Sequence, residues 1–587
     1  MNQKKPLVFK ELAGRKIMLC DIIYQSGSPE TGWSDYINFV YKDLVTKKKE
    51  LYTIKDPTIE IYEVPEEERT FRKPRHYMER EKLIPHTVLY RNVLKEIAKM
   101  AGPEFVKYYN ERRTKKERRQ LFKWPYCLGG DIPIETYYRV IWENELGNDE
   151  RKWVDCIFID IEVNQHNWDG PIPKKGECPI DMISVCDSVT RRVSTFYLKV
   201  PDNPQIIPFI ENRQEELQRK LHERFDESFP DYEYVQYAFD DEKELITQTF
   251  RLINVLKRDI CFIWNMDYDI PYIIGRCKQI GLNPANIFCH SDFPTSTLYY
   301  HEDNNNFDWD TKRNYCECSS YTHYLDQPAV YAGLRRSQTA LRSVSLNAIA
   351  EKEEVGEGKL KNTTGGNFIM FSYNDFLLYN LYNVNDTLLQ AGINEKCNDA
   401  YNLYNSCLHS YCNYKDGLKQ MVSLRAFFYR EFLMNDNLIL GHNVNFDNGT
   451  VKNDDSVDED AQAEHDLEAS QESFEGAING DPELNGHHGI ILFGKPSKYL
   501  FGDSIDFDFS AMYPNSICSF NIFAATMIGK LFIEDGDQLK TYDEDAGKEF
   551  VEDLIAKNVV FLGEKWFGMP SYENIASEVF HRMKMAA

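Results

Sequence analysis

Two acidic residues in one apolar run are the first feature of the chain that could do chemistry. Asp160 and Glu162 lie two residues apart in the segment IFIDIEV. Alternate residues of a strand share a face, so both carboxylates are expected on one side of the strand and Ile161 on the other. Two like charges beside an apolar strand are costly unless a cation compensates them. Solvated acids at the end of a strand would give the same pattern.

Two further acidic residues stand at other predicted element boundaries. Asp269 follows the apolar run CFIW, in the segment NMDYDIPYIIGR. A strand, a carboxylate and a helix in that order are typical of a site at the end of an α/β sheet, but also of an ordinary Asx-rich turn or helix cap. Tyr382 and Asp386 are four residues apart in a predicted helix, so they share a face. A helix with a core tyrosine and a solvated aspartate is the alternative.

Together, these four carboxylates and one tyrosine fit the hydrolysis of a phosphodiester bond with two divalent cations. In that chemistry the cations lie about 4 Å apart, activate a water and stabilise the leaving 3′ oxygen. Carboxylate oxygens suit Mg²⁺ or Mn²⁺ far better than zinc or copper. The sequence therefore predicts a site for two such ions.

The elements that must position these residues alternate between strands and helices. Three runs rich in β-branched and aromatic residues are typical of strands: KWVDCIFIDIEV, MISVCDS and VSTFYLKV. We interpret residues 139–146, RVIWENEL, as strand-like as well. Residues 373–391 and 397–432 indicate helices. An amphipathic helical stripe is formed by Leu245, Ile246, Phe250, Ile253 and Leu256. The alternation over residues 152–395 predicts an α/β layer domain.

The net charge of −25 over 587 residues is unevenly distributed. Between Asp447 and Glu483 there are thirteen acidic residues, one lysine and few large apolar side chains. Such a composition is typical of a disordered insert or linker, here residues 446–485. Conversely, residues 112–123 carry seven basic residues and one acidic residue. This basic run is either a solvated helical face or a patch that contacts phosphate.

No segment of the sequence indicates export or a membrane span. The apolar runs are far shorter than the roughly twenty residues that a membrane helix needs, and the N-terminus lacks an apolar signal-peptide core. The fourteen cysteines contain no Cys-x-x-Cys pair and are expected to be reduced thiols. We therefore expect a soluble protein that is not exported and has no membrane partner.

The three acidic motifs resemble those of a known nuclease. Asp-Ile-Glu, Asn-x-x-Tyr-Asp and Tyr-x-x-x-Asp, in this order, are similar to the exonuclease motifs of family B DNA polymerases, and FDDEKELI and SVSLNAIAEKEEVGEGKLK are similar to segments of the T-even phage type. The resemblance implies an RNase H-like 3′→5′ exonuclease domain in which Tyr382 orients the attacking water. Residues 284–330 fall where the family carries a hairpin that helps to separate primer from template. The implied ligands of two Mg²⁺ or Mn²⁺ ions are Asp160, Glu162, Asp269 and Asp386.

A fourth motif, DFDFSAMYPNSI, resembles motif A of the polymerase palm in the same family. The resemblance implies that Asp508 binds both catalytic Mg²⁺ ions and that the Phe509 carbonyl binds one of them. Backbone amides at Ala511 and Met512 would contact the incoming nucleotide, and Tyr513 would stack under its sugar. Serine and leucine are usual in the family where Ala511 and Met512 stand.

Other polymerase motifs of the family are not found in this sequence. These are the paired aspartates that complete the palm site and the fingers helix with its Lys and Asn-Ser-x-Tyr-Gly run. The resemblance therefore implies the N-terminal subunit of a split family B DNA polymerase that works in viral DNA replication, in the cytoplasm of an infected bacterial cell. Its expected partners are primer-template DNA, dNTP and a second subunit with the fingers, remaining palm and thumb, through which a sliding clamp would bind.

The implied architecture is multidomain, of the α/β and α+β classes. The expected parts are an N-terminal domain at 1–150 that returns at 400–445, the exonuclease domain at 151–400, the acidic insert at 446–485, and a partial palm at 486–587. Three alternatives remain open. The chain is a stand-alone 3′→5′ exonuclease, a truncated fragment of a one-piece polymerase, or a DNA- or RNA-binding regulatory protein derived from a polymerase.

Overall fold

The computed structural model describes most of the first 431 residues and little beyond them. Residues 7–431 are described apart from 70–76, 113, 125, 148–152, 207–213, 304–311, 336–340, 342 and 361–367, and residues 433–434, 438–440, 527–530, 532–534, 538–540, 559–562 and 565–568 follow. The predicted palm motif at 506–517 and the predicted acidic insert at 446–485 lie outside the described residues.

The described residues form strands and helices throughout. The strands are β1 (Ile17–Gln25), β2 (Tyr36–Asp43), β3 (Lys49–Lys55), β4 (Thr58–Glu63), β5 (Tyr77–Glu79), β6 (Ile84–Leu89), β7 (Cys127–Leu128), β8 (Cys156–Val163), β9 (Ile180–Asp187), β10 (Arg192–Leu198), β11 (Glu233–Phe239), β12 (Ile260–Ile263), β13 (Leu298–His301), β14 (Tyr315–Cys318), β15 (His323–Asp326), β16 (Leu438–Leu440), β17 (Met527–Lys530), β18 (Phe532–Glu534), β19 (Gln538–Lys540), β20 (Val559–Leu562) and β21 (Lys565–Gly568). The α-helices are α1 (Val93–Ala101), α2 (Pro103–Glu111), α3 (Lys115–Arg118), α4 (Ile134–Leu146), α5 (Gln214–Phe225), α6 (Glu242–Leu256), α7 (Met266–Gln279), α8 (Pro284–Phe288), α9 (Gln327–Leu334), α10 (Leu346–Lys352), α11 (Phe371–Asn374), α12 (Phe376–Cys397), α13 (Asp399–Ser410) and α14 (Gln420–Glu431). Short 3₁₀ helices occur at Lys10–Leu12, Pro29–Thr31, Glu66–Glu68, Arg80–Lys82, Tyr90–Asn92, Arg119–Lys123 and Phe368–Met370.

The chain divides into two compact units. Unit 1 comprises Met1–Pro57 and Ile134–Ser423, and unit 2 comprises Thr58–Pro133 and Leu424–Ala587. The mixed α/β and α+β class predicted from the sequence is confirmed by these elements. The predicted domain boundaries themselves remain predictions.

A mixed sheet of eight described strands forms the centre of unit 1. Its order is β11-β10-β9-β8-β12-β15-β14-β13. Strands β8, β12 and β15 run parallel, with Ile263 of β12 opposite both Ile159 and Asp326. The carboxyl ends of these three strands therefore meet at one edge of the sheet, where α/β proteins place their sites.

Helix α6 packs on this sheet through the stripe predicted from the sequence. Leu245, Ile246, Phe250 and Ile253 are at most 1% exposed and share a core with the isoleucines of β8 and β9, while Leu256 is partly buried against it. Burial of four large apolar side chains, at about 1.5–3 kcal/mol each, contributes most to fixing the helix on the sheet. The predicted amphipathic helix is confirmed.

A three-stranded antiparallel sheet, β1-β2-β3, completes the N-terminal part of unit 1 together with helix α4. The strand-like interpretation of residues 139–146 is wrong, because these residues belong to α4. Ile134, Tyr138 and Trp142 are all buried and recur every fourth residue. This helical stripe begins five residues before the run that suggested a strand, so the short window missed it.

The long helix α12 carries the third acidic motif and ends close to the next helix. The helix predicted for 373–391 is confirmed as α12, which extends to Cys397. The helix predicted for 397–432 is instead two helices, α13 and α14. Helix α13 ends at Ser410, because the next residue, Tyr411, has a left-handed φ of 55° that cannot continue an α-helix. Glycine at 417 and aspartate at 416 then lie in a turn before α14 begins.

Unit 2 contains small antiparallel sheets, β6-β4-β7 and β16-β5, and helices α1 to α3. Strands β17, β21 and β20 form one further small sheet, and β18 and β19 form a hairpin. Among the helices that the structure describes, none is long and apolar enough to cross a membrane. The described cysteines form no disulfide with one another.

Candidate active site

Strand β8 places the first two carboxylates at the edge where the parallel strands end. Asp160 follows directly after Ile159, the last residue of β8 that pairs with β12. Glu162 lies opposite Met182 of β9 and is 7% exposed. The alternation of the strand puts both acids on the same side, as the sequence predicted. The DIE segment therefore supplies two carboxylates from one short, rigid element.

Helix α7 brings the third carboxylate to the same edge. Strand β12 ends at Ile263 and α7 begins at Met266, so only two residues separate them. Asp269 lies in the first turn of the helix and is 4% exposed. The helix N-terminus carries partial positive charge, which favours a carboxylate there. The strand-to-helix position inferred from the sequence is the position found.

Helix α12 supplies the fourth carboxylate and the tyrosine. Asp386 is 3% exposed and Tyr382 is half-buried, and the two lie one helical turn apart. Between them, Asn383 is fully buried and donates from Nδ2 to Asp160 Oδ2 at 2.7 Å. One turn earlier, Tyr379 donates to the buried Asp181 of β9 at 2.8 Å. One face of α12 thus reaches both β8 and β9.

The four carboxylates act on one another electrostatically. Burial and the charge of Asp386 raise the pKa of Asp160 to about 8. Burial, followed by the charges of Asp160 and Asp386, raises the pKa of Glu162 well above its usual range. Burial and the charge of Asp160 do the same for the pKa of Asp269. The structure therefore brings the four predicted carboxylates within electrostatic reach of one another, three of them buried and Asp160 half-buried. We define Asp160, Glu162, Asp269 and Asp386 as the acidic centre.

A lysine that the sequence analysis did not single out faces this acidic centre. Lys359 Nζ lies 2.7 Å from Asp386 Oδ2 and 4.8 Å from the centroid of the Tyr382 ring. Burial raises the pKa of Asp386, and the lysine opposes that rise. Burial alone would lower the pKa of Lys359, but the charges of Asp386, Tyr382 and Asp160 raise it instead. Lys359 is therefore a fixed ammonium within a cluster of four acids.

The backbone around Lys359 is held by two amide side chains. Its N–H donates to Asn347 Oδ1 at 2.8 Å, and Asn385 Nδ2 donates to the Gly358 carbonyl at 3.3 Å. Gly358 has a φ of +81°, a conformation that a side chain would strain. The segment GEGKL thus turns sharply so that the lysine side chain can meet Asp386.

The acidic centre fits divalent cations by the chemistry of its donors. Asp386 Oδ1 is buried and has no hydrogen-bond donor among the described residues. One ammonium opposes four carboxylates, so additional positive charge is needed for all of them to ionise. Among the residues that the structure describes, no three His, Cys, Asp or Glu side chains lie close enough together to hold a metal ion by themselves. The four carboxylates are therefore suitable ligands by their chemistry, but as described they are not drawn together around one point, and the Lys359 ammonium lies beside Asp386.

A fifth carboxylate lies at the same edge of the sheet but outside the acidic centre. Asp326 ends β15, is 2% exposed and accepts a hydrogen bond from Asn314 Nδ2 at 2.9 Å. Burial is the main reason that its pKa rises to about 7. Nearby, Lys312 forms an ion pair of 2.7 Å with Asp267, two residues before Asp269. These contacts tie the β13–β14 hairpin, which falls within the predicted hairpin region 284–330, to the strand and helix that border the acidic centre.

The residues missed from the sequence differ in how visible they were. Asp326 could have been found, since it follows the strand segment HYL and directly precedes a helix whose second residue is a proline. Asn383 lies inside the third motif, but its role depends on a strand 223 residues away. Lys359 had only a weak signal, the two glycines of GEGKL. The predicted palm residues, which lie outside the described residues, are Asp508, Phe509, Ala511, Met512 and Tyr513.

Comparison with known proteins agrees with part of this picture. Residues 131–349 match the family model described as DNA polymerase family B, exonuclease domain. The matched segment covers less than half of the chain. It includes Asp160, Glu162 and Asp269, and it ends before Lys359, Tyr382 and Asp386. No curated protein matches the sequence. This part of the chain is similar to a polymerase exonuclease domain.

Proposed function

We propose that unit 1 is a 3′→5′ exonuclease that removes nucleotides from the end of a DNA strand. The observation that carries this proposal is the acidic centre at the carboxyl ends of the parallel strands. A purely structural role does not require three buried carboxylates and a partly buried fourth within electrostatic reach of one another, since such charges are costly. The match of residues 131–349 to a polymerase exonuclease domain supports the same activity.

Asp160, Glu162, Asp269 and Asp386 would hold two divalent cations, Mg²⁺ or Mn²⁺. When bound, such ions stabilise the negative charge that develops during phosphodiester hydrolysis and favour deprotonation of water. The carboxylates come from strand β8 and from helices α7 and α12, so their relative positions are set by the core of unit 1. Asn383 fixes one oxygen of Asp160 and thereby orients the other.

Tyr382 and Lys359 would act on the reacting groups rather than on the fold. We assign to the hydroxyl of Tyr382, which lies one helical turn before Asp386, the holding of the attacking water that the sequence motif implies. The Lys359 ammonium would orient the Asp386 carboxylate and, as a fixed positive charge in a water-poor site, stabilise charge on the phosphate. Burial of the acidic centre excludes the bulk solvent that would weaken these interactions.

A polarity assay on single-stranded DNA tests the proposed exonuclease. Oligonucleotides labelled at either the 5′ or the 3′ end are incubated with the full chain and Mg²⁺. The 5′ label should yield a ladder and the 3′ label a mononucleotide. Asp160→Ala with Glu162→Ala should abolish both products, whereas Glu354→Gln, an exposed carboxylate paired with Lys396, should not. Internal cleavage, or equal activity in the double variant, would overturn the proposal.

We further propose that the chain serves as the exonuclease-bearing part of a DNA-directed DNA polymerase in viral replication, within an infected bacterial cell. The support for this is the sequence DFDFSAMYPNSI, in which Asp508 stands at the position of the first palm carboxylate. A second polypeptide with the fingers, the remaining palm and the thumb would complete the nucleotide-transfer site and bind the sliding clamp. Primer-template DNA and dNTP would be the substrates.

Reconstitution with a candidate second subunit tests this further proposal separately. The mixture should form a complex on size exclusion and extend a primer, and Asp508→Ala should stop extension while the 3′→5′ activity of unit 1 remains. Extension by the chain alone would contradict the two-subunit proposal. Exonuclease activity without extension in any mixture would favour a stand-alone exonuclease.

A further inference from the structure

The basic run predicted from the sequence, residues 112–123, lies in unit 2, whereas the acidic centre lies in unit 1. We define the basic surface by the basic residues of 103–123 whose side chains the structure describes, which are Lys107, Arg112, Arg118 and Arg119. Residues 103–123 carry eight basic and three acidic residues, in a chain with a net charge of −25. The net charge of this segment is therefore positive, although the net charge of the whole chain is negative.

Helix α2 has no buried residue, although it contains two adjacent tyrosines. The Arg112 guanidinium lies 4.9 Å from the centroid of the Tyr108 ring, and that of Arg118 lies 4.4 Å from the centroid of the Tyr109 ring. Stacking of this kind holds the planar cations on half-buried aromatic faces at the surface. The surface therefore presents arginine and tyrosine together.

The single acidic residue of the run is used to build the local structure. Thr114 and Glu117 form a reciprocal cap, in which the Glu117 carboxylate accepts from the Thr114 N–H at 3.0 Å and the Glu117 N–H donates to Thr114 Oγ1 at 3.2 Å. Arg118 Nε also donates to the carbonyls of Tyr109 and Arg112, at 3.1 and 2.9 Å. One carboxylate and one arginine thus shape the loop, and exposed cations such as Arg119 remain available to a ligand.

We propose that this basic surface binds the phosphodiester backbone of a single-stranded nucleic acid, as a second nucleic-acid site beyond the proposed exonuclease. Clustered lysines and arginines neutralise phosphates and release counterions, and this release supplies most of the free energy of such binding. The guanidinium planes that lie over the half-buried Tyr108 and Tyr109 rings offer flat groups on which unstacked bases can pack, and only a single strand has such bases available. A duplex would use the charges but not these flat groups.

A solvated helical face is the competing explanation of the same residues, and it makes a different prediction. A solvated face needs charge but has no use for aromatic rings held beside the guanidinium groups. If the residues are only a solvated face, neutralising these charges should leave the affinity for nucleic acid unchanged. The two explanations therefore separate on binding rather than on stability.

The experiment uses the full chain with Asp160→Ala and Glu162→Ala, so that oligonucleotides remain intact during the measurement. Fluorescence anisotropy with labelled dT and rU oligomers of equal length is recorded over a series of salt concentrations. Arg119→Ala and Lys107→Ala remove exposed cations from the basic surface without touching the arginine that shapes the loop. Arg219→Ala and Lys220→Ala on α5 are the matched controls, since both side chains form similar i,i+4 ion pairs.

Each variant of the basic surface should weaken binding about threefold to tenfold and reduce the salt slope by about 0.7, the value for one lost phosphate contact on a single strand. The α5 controls should leave both unchanged. A greater loss for dT than for rU, or the reverse, identifies the natural strand. Tyr109→Leu should in addition remove the preference for an oligomer with bases over an abasic one.

Unchanged affinity and salt slope in both variants of the basic surface would overturn the proposal, as would equal loss in the α5 controls. Binding to duplex as tight as to single strands would contradict the part assigned to the tyrosines. Because the nuclease is inactivated in this background, failure here leaves the proposed exonuclease untouched. Failure of the polarity assay likewise leaves this binding measurement valid.

Discussion

The acidic centre of unit 1 and the basic surface of unit 2 are both clusters of like charge, but they are built in opposite ways. In the acidic centre Glu162, Asp269 and Asp386 are at most 7% exposed. Asn383 donates a hydrogen bond to Asp160, and Lys359 forms an ion pair with Asp386. In the basic surface Lys107 on α2 and Arg119 in the 3₁₀ helix Arg119–Lys123 are exposed, so water can solvate them. Buried charges need designated partners, whereas exposed charges do not.

This difference decides what a substitution should do in each region. Removing a partner in the acidic centre leaves a buried charge without compensation, so both activity and stability should respond. Removing a cation from the basic surface returns its neighbours to water, so only ligand binding should respond. With the four carboxylates themselves left aside, the expected effects of substitutions in the two regions therefore range from Lys359, the largest, to Arg119, the smallest.

Lys359→Met should have the largest effect of these substitutions, because it removes the fixed cation of the acidic centre. The rate of nucleotide release should fall about 100-fold, near the upper end for a residue that orients a metal ligand. Mg²⁺ should raise the melting temperature more in this variant than in the wild type, since the ion would replace the lost charge beside Asp386. Calorimetry with and without Mg²⁺ measures this.

Lys199→Met is the control for that experiment, since Lys199 forms a surface ion pair of 2.8 Å with Asp240. Its activity and its response to Mg²⁺ should match those of the wild type. A Lys359→Met variant that also behaves like the wild type in both measurements would remove the lysine from the acidic centre's function.

Asn383→Leu should have the next largest effect, because it removes the donor that fixes Asp160 at nearly constant side-chain volume. Activity should fall about 10-fold to 100-fold, and the Mg²⁺ concentration for half-maximal rate should rise. Asn380→Leu on the same helix is the matched control, since Asn380 is equally buried but donates to Gln236 at 2.8 Å. Equal losses in both variants would mean that Asn383 acts only on stability.

Asp326→Asn should change the pH dependence of stability rather than the chemistry. Its folded pKa is raised to about 7, while an unfolded aspartate titrates near about 3.9. Between these values the folded state binds more protons than the unfolded state, so the carboxyl makes stability fall as pH rises from about 4 to about 7. Below about pH 4 the carboxyl is protonated in both the folded and the unfolded state, so it does not change stability with pH. Above about pH 7 it is ionised in both states, and the decrease in stability that it causes is complete.

In the asparagine variant, the decrease of stability between about pH 4 and about pH 7 should be smaller by the contribution of one titrating proton. Melting temperature measured against pH tests this. The asparagine side chain can still accept the hydrogen bond from Asn314. The remaining fall with pH would come in part from Asp181, whose pKa burial also raises to about 7. Asp240→Asn, at a carboxylate whose side chain is 84% exposed, is the control. A profile identical to that of the wild type would contradict the burial argument for Asp326.

Arg119→Glu should have the smallest effect on the fold. Since the side chain is exposed, the free energy of unfolding should change by no more than about 0.5 kcal/mol despite the reversal of charge. A denaturant titration measures this. A loss of several kcal/mol would mean that the basic surface is structural, and the contrast between the two regions would disappear.

The sequence predicted the parts of this molecule that depend on short-range patterns. The strand with Asp160 and Glu162, the strand-to-helix position of Asp269 and the helical face with Asp386 all follow from residues within one element. The helix at 139–146 was mistaken for a strand because its stripe begins outside the short run. Asn383 could not be assigned from sequence because its partner, Asp160, is 223 residues away. Lys359 could not be assigned because it lies in a loop outside the helix that carries Asp386.

The most direct test of the acidic centre is a single-turnover measurement of 3′-nucleotide release while Mg²⁺ is titrated, for the wild type and for Asp160→Asn. The substitution keeps the size of the side chain and removes one negative charge. We predict that the wild-type rate rises with Mg²⁺ to a plateau, and that the variant is slower by about 10³-fold or more at every concentration. A variant within threefold of the wild type at saturating Mg²⁺ would contradict the assignment of the acidic centre as the site of hydrolysis.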